Sequence, residues 1–200
     1  MGPDTLLLAT TNRGKLREIQ DLLAGLPILV QTLGDYPGVD APDETGSTFS
    51  ENARQKALFY AAHSGVLTVA EDSGLEIDAL GGRPGVHSAR YAGADSTYSE
   101  KFASVYRELS QVETPDRTAR FVCAIAVAEA GRVVYETTGI VEGEIAPAPR
   151  GEGGFGYDPI FFYPPFGTTL AEAGERKSTV SHRGVAFRKL RAYLEAQSSG

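Results

Sequence analysis

Apolar residues recur along this chain at two spacings, and each spacing predicts an element. An unbroken apolar run over residues 5–9 predicts a short buried strand, and behind it Leu16, Ile19, Leu22, Leu23 and Leu26 fall on one face of a helix. Residues 28–33 predict a second strand, followed by a loop rich in Gly, Pro and Asp over residues 34–47. Thr48 and Glu51 have the spacing of a capping box, so a helix is expected to open there and to end before Gly65. Residues 66–70 predict another buried strand, which ends in Glu71-Asp72-Ser73-Gly74. Past a loop over residues 81–93, the spacing of Tyr98, Phe102, Val105, Tyr106 and Leu109 predicts an amphipathic helix.

The second half changes character. Residues 119–146 are rich in Val, Ile and Thr with a turn signal at Ala130-Gly131, which predicts a hairpin and one further strand. A Gly-rich loop over residues 150–158 leads to a short strand over residues 160–163. The terminal helix turns Ala186, Leu190, Tyr193 and Leu194 inward, and residues 198–200 are expected to fray. Helices alternate with strands early and hairpins dominate late, so the expected fold is α/β, a mixed sheet covered by helices.

Composition narrows this picture. Two hundred residues with 42% apolar content suffice for one continuous core, so a single domain over residues 1–200 is expected. Lys and Arg total 19 against 26 Asp and Glu, a net charge of -7, which argues against a nucleic-acid partner. A few cations converging on one small phosphorylated ligand remain compatible with that balance. The only cysteine, Cys123, lies in the apolar stretch over residues 121–127 and reads as a buried small hydrophobe. A lone cysteine forms no disulfide within the chain, the first apolar run is too short for a signal segment, and no stretch is long enough to span a bilayer. The expectation is a cytoplasmic protein with no membrane partner.

Four polar segments carry candidate chemistry. Thr10-Thr11-Asn12-Arg13-Gly14-Lys15 joins a strand to a helix N-terminus, where free amides and the helix dipole favour an anion. Lys15 in the first helical turn opposes that dipole, so an anionic ligand would justify it; an ordinary strand-to-helix turn is the bland alternative. A Walker A loop is excluded, because Ala9 replaces its first glycine and Leu16 its Ser/Thr. Glu71 and Asp72 are adjacent carboxylates at the end of a buried strand, and a hard divalent cation, magnesium beside phosphates, resolves their repulsion. Asp43 and Glu44 could reach the same ion, whereas an exposed acidic turn would need none.

Gly151, Gly153 and Gly156 have GxGxxG spacing, but Pro159 and the strand-like residues behind it exclude a helix-opening dinucleotide fingerprint. The loop instead offers close backbone approach to a flat ligand, with Phe155 and Tyr157 available for stacking, or is simply a connector. Lys177, Ser181, His182 and Arg183 gather at the start of the last helix, with Ser181 a candidate N-cap, and suit an anion or an electron-rich base edge. His63 and His87 have no partner at metal-ligand spacing, which argues against zinc.

Taken together, residues 10–15, 45–56, Glu71-Asp72-Ser73-Gly74-Leu75, residues 85–91, 153–159 and 177–183 closely resemble the inosine/xanthosine triphosphate pyrophosphatases, also called Ham1-like proteins. The resemblance covers nearly the whole chain in the family's order. It implies a homodimer of an α/β fold, with a long curved mixed sheet flanked by helices and two lobes around a central cleft. It implies Mg²⁺-dependent hydrolysis of deaminated purine triphosphates, dITP, ITP and XTP, to the monophosphate and pyrophosphate.

By the same resemblance Asp72 matches the catalytic base. Thr10, Thr11, Asn12, Arg13, Gly14, Lys15 and Lys56 match the triphosphate contacts, and Ser73 a further substrate contact. Phe155, Gly156, Tyr157, Asp158, Lys177, His182 and Arg183 match the purine grip. Asp72 is the expected metal carboxylate, helped by Glu44 or Glu71, with Asp43 an alternative to Glu44. Glu71 departs from the family, which usually carries aspartate there. A Maf-type pyrophosphatase acting on other bases, a nucleotide sensor without turnover and a nicotinamide-dependent reductase are the rival classes.

Overall fold

The computed structural model describes residues 4–113 and 116–198. Seven strands follow the hydrogen-bonded order β2-β1-β3-β4-β5-β6-β7. They are β1 (Thr5–Leu8), β2 (Leu29–Thr32), β3 (Leu67–Ile77), β4 (Thr118–Glu129), β5 (Arg132–Ile145), β6 (Phe161–Tyr163) and β7 (Thr168–Thr169). Strand β1 pairs in parallel with both β2 and β3, whereas β6 is antiparallel to β5 and β7, so the sheet is mixed as expected. The helices are α1 (Arg13–Leu23), α2 (Phe49–Ser64), α3 (Tyr98–Leu109), α4 (Lys177–Val180) and α5 (His182–Ser198). Of the tail expected to fray, residues 199 and 200 lie outside the described residues. No described helix is long and apolar enough to cross a membrane.

Local signals set the helix starts. Thr48 and Glu51 form the predicted capping box on α2, and Gly65 ends that helix in the left-handed conformation at φ 72°. Thr97 and Glu100 cap α3 in the same way. Between β4 and β5, Ala130 and Gly131 both take positive φ, the turn that joins two twisted antiparallel strands with two residues.

Three strands differ from the sequence expectation. Strand β3 does not stop at the acidic pair but continues to Ile77. Gly74 lies inside it because the Ser88 hydroxyl, which accepts the Leu75 amide at 2.9 Å, leaves no room there: a Cβ on Gly74 would lie 2.3 Å from the Ser88 oxygen. Strand β5 runs unbroken where a hairpin plus a separate strand was predicted, and β7 is an addition.

The chain forms two compact units, each with its own core. The first holds residues 1–72, 123–139 and 182–200, and the second residues 73–122 and 140–181. In the first, Leu6, Leu8, Leu67, Val69, Cys123, Ile125 and Val127 on one sheet face pack with Ile19 and Leu23 of α1 and Phe187, Leu190 and Leu194 of α5. In the second, Leu75, Ile77, Phe121, Val141 and Ile145 pack with Phe102, Val105 and Leu109 of α3 and with Tyr157, Ile160, Phe161 and Leu170. Buried apolar faces of this kind are what hold helices on a sheet.

Candidate active site

In the first unit the loop behind β1 caps its own helix. The Asn12 side chain accepts the Gly14 amide at 3.0 Å and the Lys15 amide at 3.1 Å, and the Asn12 amide donates to the Thr10 hydroxyl at 3.3 Å. These amides are therefore satisfied within the loop, unlike the free amides expected for an anion. Positive charge comes instead from the Lys15 side chain. Thr11 is exposed, and the Arg13 side chain lies outside the described residues.

Consecutive residues of a strand project to opposite faces, and Glu71 and Asp72 on β3 obey that rule. Glu71 enters the face covered by α1 and α5, where its side chain is only 2% exposed. One carboxylate oxygen lies 2.7 Å from the Lys15 ammonium. The other lies 3.5 Å from the Arg183 guanidinium and 3.1 Å from the Cys123 sulfur, which donates to it. Arg183, 1% exposed, also reaches Glu18 at 2.8 Å. Burial alone would raise the Glu71 pKa, but Arg183, Lys15 and the Cys123 hydrogen bond hold it well below the usual carboxylate value.

Asp72 turns the other way, toward α2. Asn52, fully buried on that helix, donates to Asp72 Oδ2 at 2.9 Å while its own oxygen accepts the Gly46 amide at 2.8 Å. Lys56, one turn further along α2, places Nζ 2.5 Å from Glu44 Oε1 and 3.9 Å from Asp72 Oδ1. Burial pushes the Asp72 pKa up; Lys56, Asn52 and Lys15 oppose that and Glu44 adds to it. Burial would lower the Lys56 pKa, yet Asp72, Glu44 and Glu71 leave it raised, so its ammonium stays charged. Lys15 and Asp72 thus lie within electrostatic reach of each other.

Asp72 and Glu44 flank one cationic position, now held by the Lys56 ammonium; Asp43 is exposed. Glu71 is separated from this pair by the strand's alternation and is claimed by two cations, so of the candidate second carboxylates the structure brings Glu44 to the side of Asp72. Among the described residues no group of three or more His, Cys, Asp or Glu converges on a metal position. Two carboxylates nevertheless match the donor set of magnesium, which binds through one or two carboxylates and completes its shell with water and phosphate oxygens. The residues fit that ion.

Cys123 is a second consequence of the buried cluster. Burial and the neighbouring Glu71 carboxylate push its thiol pKa well above the ordinary value. The folded protein should therefore leave a disulfide thiol reagent unreacted at mildly alkaline pH and consume one equivalent only on unfolding in guanidinium; prompt labelling of the native chain would contradict this placement.

In the second unit the glycine-rich loop is tied down by Asp158. This carboxylate, itself buried, accepts the Phe155 amide at 2.8 Å and the Lys177 ammonium at 2.6 Å. Lys177 also sits 4.5 Å from the centre of the Phe155 ring, which is 42% exposed and reaches solvent. Tyr157 does not: it is 4% exposed, donates its hydroxyl to the Ser88 carbonyl at 2.8 Å and packs against Tyr98 and Phe102. The expected pair of stacking rings is thus one solvent-exposed ring and one core residue. Gly156 takes φ 69° beside them, and Ser73 follows Asp72 on β3, half-buried.

His182 and Arg183 open α5, with Ser181 directly before them, and all three are buried. The structure therefore assembles Lys15, Glu44, Lys56 and Asp72 in one unit, and Phe155, Gly156, Asp158 and Lys177 in the other. Sequence reasoning missed Asn52. Its only signal is a polar residue four positions before Lys56 on the same helical face.

Residues 6–193 match the sequence profile of the Ham1 family. A dITP/XTP pyrophosphatase of Geobacillus kaustophilus is 52% identical over 188 residues, spanning 92% of this chain and 91% of the relative. One from Gloeobacter violaceus is 50% identical over 186 residues, spanning 92% and 91%. Among solved structures, a HAM1 protein from Coxiella burnetii matches with a TM-score of 0.91 at 42% identity, covering 96% of this chain and 98% of that one. Matched from residue 6 to residue 193, and alike in backbone to a solved relative, the chain belongs to the Ham1 family.

Proposed function

We propose that this chain hydrolyses non-canonical purine nucleoside triphosphates, dITP, ITP and XTP, to the monophosphate and pyrophosphate, and so clears deaminated purines from the nucleotide pool. The relatives named dITP/XTP pyrophosphatase support the reaction. The observation that carries the assignment of residues is the grouping of Asp72, Glu44 and Lys56, with the Lys15 charge acting on Asp72. Family resemblance supports a homodimer, and the lone buried cysteine suits a reducing cytoplasm.

In this reading residues 10–15 and Lys56 receive the triphosphate. Asp72 accepts a proton from the attacking water, which adds at the α-phosphorus as the bond to the bridging oxygen breaks and pyrophosphate leaves. Lys15 and Lys56 offset the charge that grows on the leaving group. Asp72 and Glu44 would hold magnesium, which when bound lowers the pKa of water and neutralises phosphate charge. Phe155 stacks on the purine, Ser73 touches the substrate, and Lys177 and His182 donate toward the 6-oxo group, which adenine lacks. Arg183, paired with Glu18 and Glu71, contributes its charge to the purine grip, and Asp158 and Tyr157 hold the loop that presents Phe155.

The test is to incubate the protein with Mg²⁺ and, separately, dITP, XTP, ATP, GTP and dTTP, and to measure pyrophosphate and orthophosphate. Pyrophosphate should be released from dITP and XTP in preference to the rest. Orthophosphate as the first product, or preference for dTTP, would overturn the reading.

Asn52 provides a finer check. Asn52→Ala should lower kcat by roughly tenfold with a smaller change in KM, because it removes one hydrogen bond that aims Asp72 Oδ2 and leaves the charges in place. An unchanged kcat would mean that Asp72 is oriented by other groups.

A further inference from the structure

We infer that Glu71 is a positioning residue for Lys15, tying the phosphate-binding loop to the start of α5, and that it is not a metal ligand. The inference rests on the proposal that Lys15 meets the triphosphate, and it concerns a buried carboxylate to which that proposal gives no role.

Three elements meet at this one side chain: Lys15 from α1, Arg183 from α5 and Cys123 from β4, at 2.7, 3.5 and 3.1 Å. An entering metal ion would have to displace both cations from a group that is 2% exposed, and it would face the opposite side of β3 from Asp72. Fixing Lys15 is a task with a physical reason. An ammonium on a flexible four-carbon stem at a helix N-terminus is repelled by the macrodipole and loses rotamer entropy when a ligand orders it. Glu71 supplies the attraction and orders the stem before the ligand arrives. Arg183, held by Glu18 on the far side, in turn fixes Glu71.

Simple electrostatics and positioning predict opposite signs. Removing a negative charge near a polyphosphate site should tighten anion binding if nothing else changes. Loss of an ordered lysine should weaken it.

The experiment measures dITP affinity by calorimetry without divalent metal, alongside pyrophosphate release with Mg²⁺, for wild type, Glu71→Gln, Glu71→Asp, Lys15→Met and the double variant Glu71→Gln/Lys15→Met. Glu71→Gln should weaken metal-free dITP binding by roughly 10-fold to 100-fold, the scale of one charge-assisted hydrogen bond. Glu71→Asp, which keeps the charge that Arg183 needs, should fold like wild type and bind with intermediate affinity. In the Lys15→Met background Glu71→Gln should add nothing further, because its effect runs through that lysine.

Metal-free affinity equal to or tighter than wild type in both Glu71 variants would overturn the inference, as would a Glu71→Gln effect that persists at full size without Lys15. A wild type that binds dITP and releases no pyrophosphate would sink the proposed reaction instead, and the binding comparison would still decide the role of Glu71.

Discussion

Asp72→Asn is expected to abolish turnover, with kcat down by about 10³-fold or more and dITP affinity changed far less, when initial rates and metal-free binding are measured on the same preparation. The side chains are nearly the same size, and the Asn oxygen can still accept from Asn52, so the loop, α2 and Lys56 keep their places. What disappears is the basic oxygen facing Lys56 and the negative charge that acts on both Lys56 and Lys15. An amide does not take a proton from water at neutral pH, so the loss falls on the chemical step, about 4 kcal/mol of transition-state stabilisation. An Asn variant with more than a tenth of wild-type kcat would place the base elsewhere. Glu44, which also pairs with Lys56, would be the first alternative.

The elements are legible in the sequence wherever their signal is local. Thr48 with Glu51 and Gly65 bracket α2 because caps involve neighbours in the chain, and the apolar spacing of α1, α3 and α5 follows from the faces they bury. Strand β3 was harder, since Glu71-Asp72-Ser73-Gly74 has the composition of a turn. Its glycine answers instead to the approach of Ser88, distant in the chain.

The site divides along the same line. That Asp72, Lys15, Lys56 and Glu44 share one site is what the motif resemblance implies, and the structure sets Glu44 and Asp72 against the same Lys56 ammonium. That Glu71 turns to the other face of β3 follows from strand alternation, which adjacency in the sequence conceals. Burial of Arg183 and Tyr157 depends on Glu18, Glu71 and the Ser88 carbonyl, partners that no local pattern announces. Asn52 is silent for the same reason: a mid-helix asparagine matches no motif until Gly46 and Asp72 are seen on either side of it.

Gly139→Ala is expected to destabilise the protein by about 3 kcal/mol, lowering the melting temperature by roughly 10 °C. Gly139 is buried on β5, and a Cβ there would lie 2.1 Å from the His182 carbonyl oxygen and 2.6 Å from the Ala186 amide nitrogen. Those two groups stand four residues apart at the opening of α5, the spacing of a helical hydrogen bond, so the methyl meets backbone that has no rotamer to yield. Either α5 lifts from the sheet, uncovering the contacts of Ala186, Phe187 and Leu190, or its first turn unwinds. Both routes disturb Arg183, and through it Glu71 and Lys15, so dITP affinity should fall with stability. The neighbouring Ile140, 47% exposed, serves as the control: Ile140→Ala should melt within a degree or two of wild type. If Gly139→Ala melts alongside that control, the close approach of α5 to β5 is not what holds the helix in place.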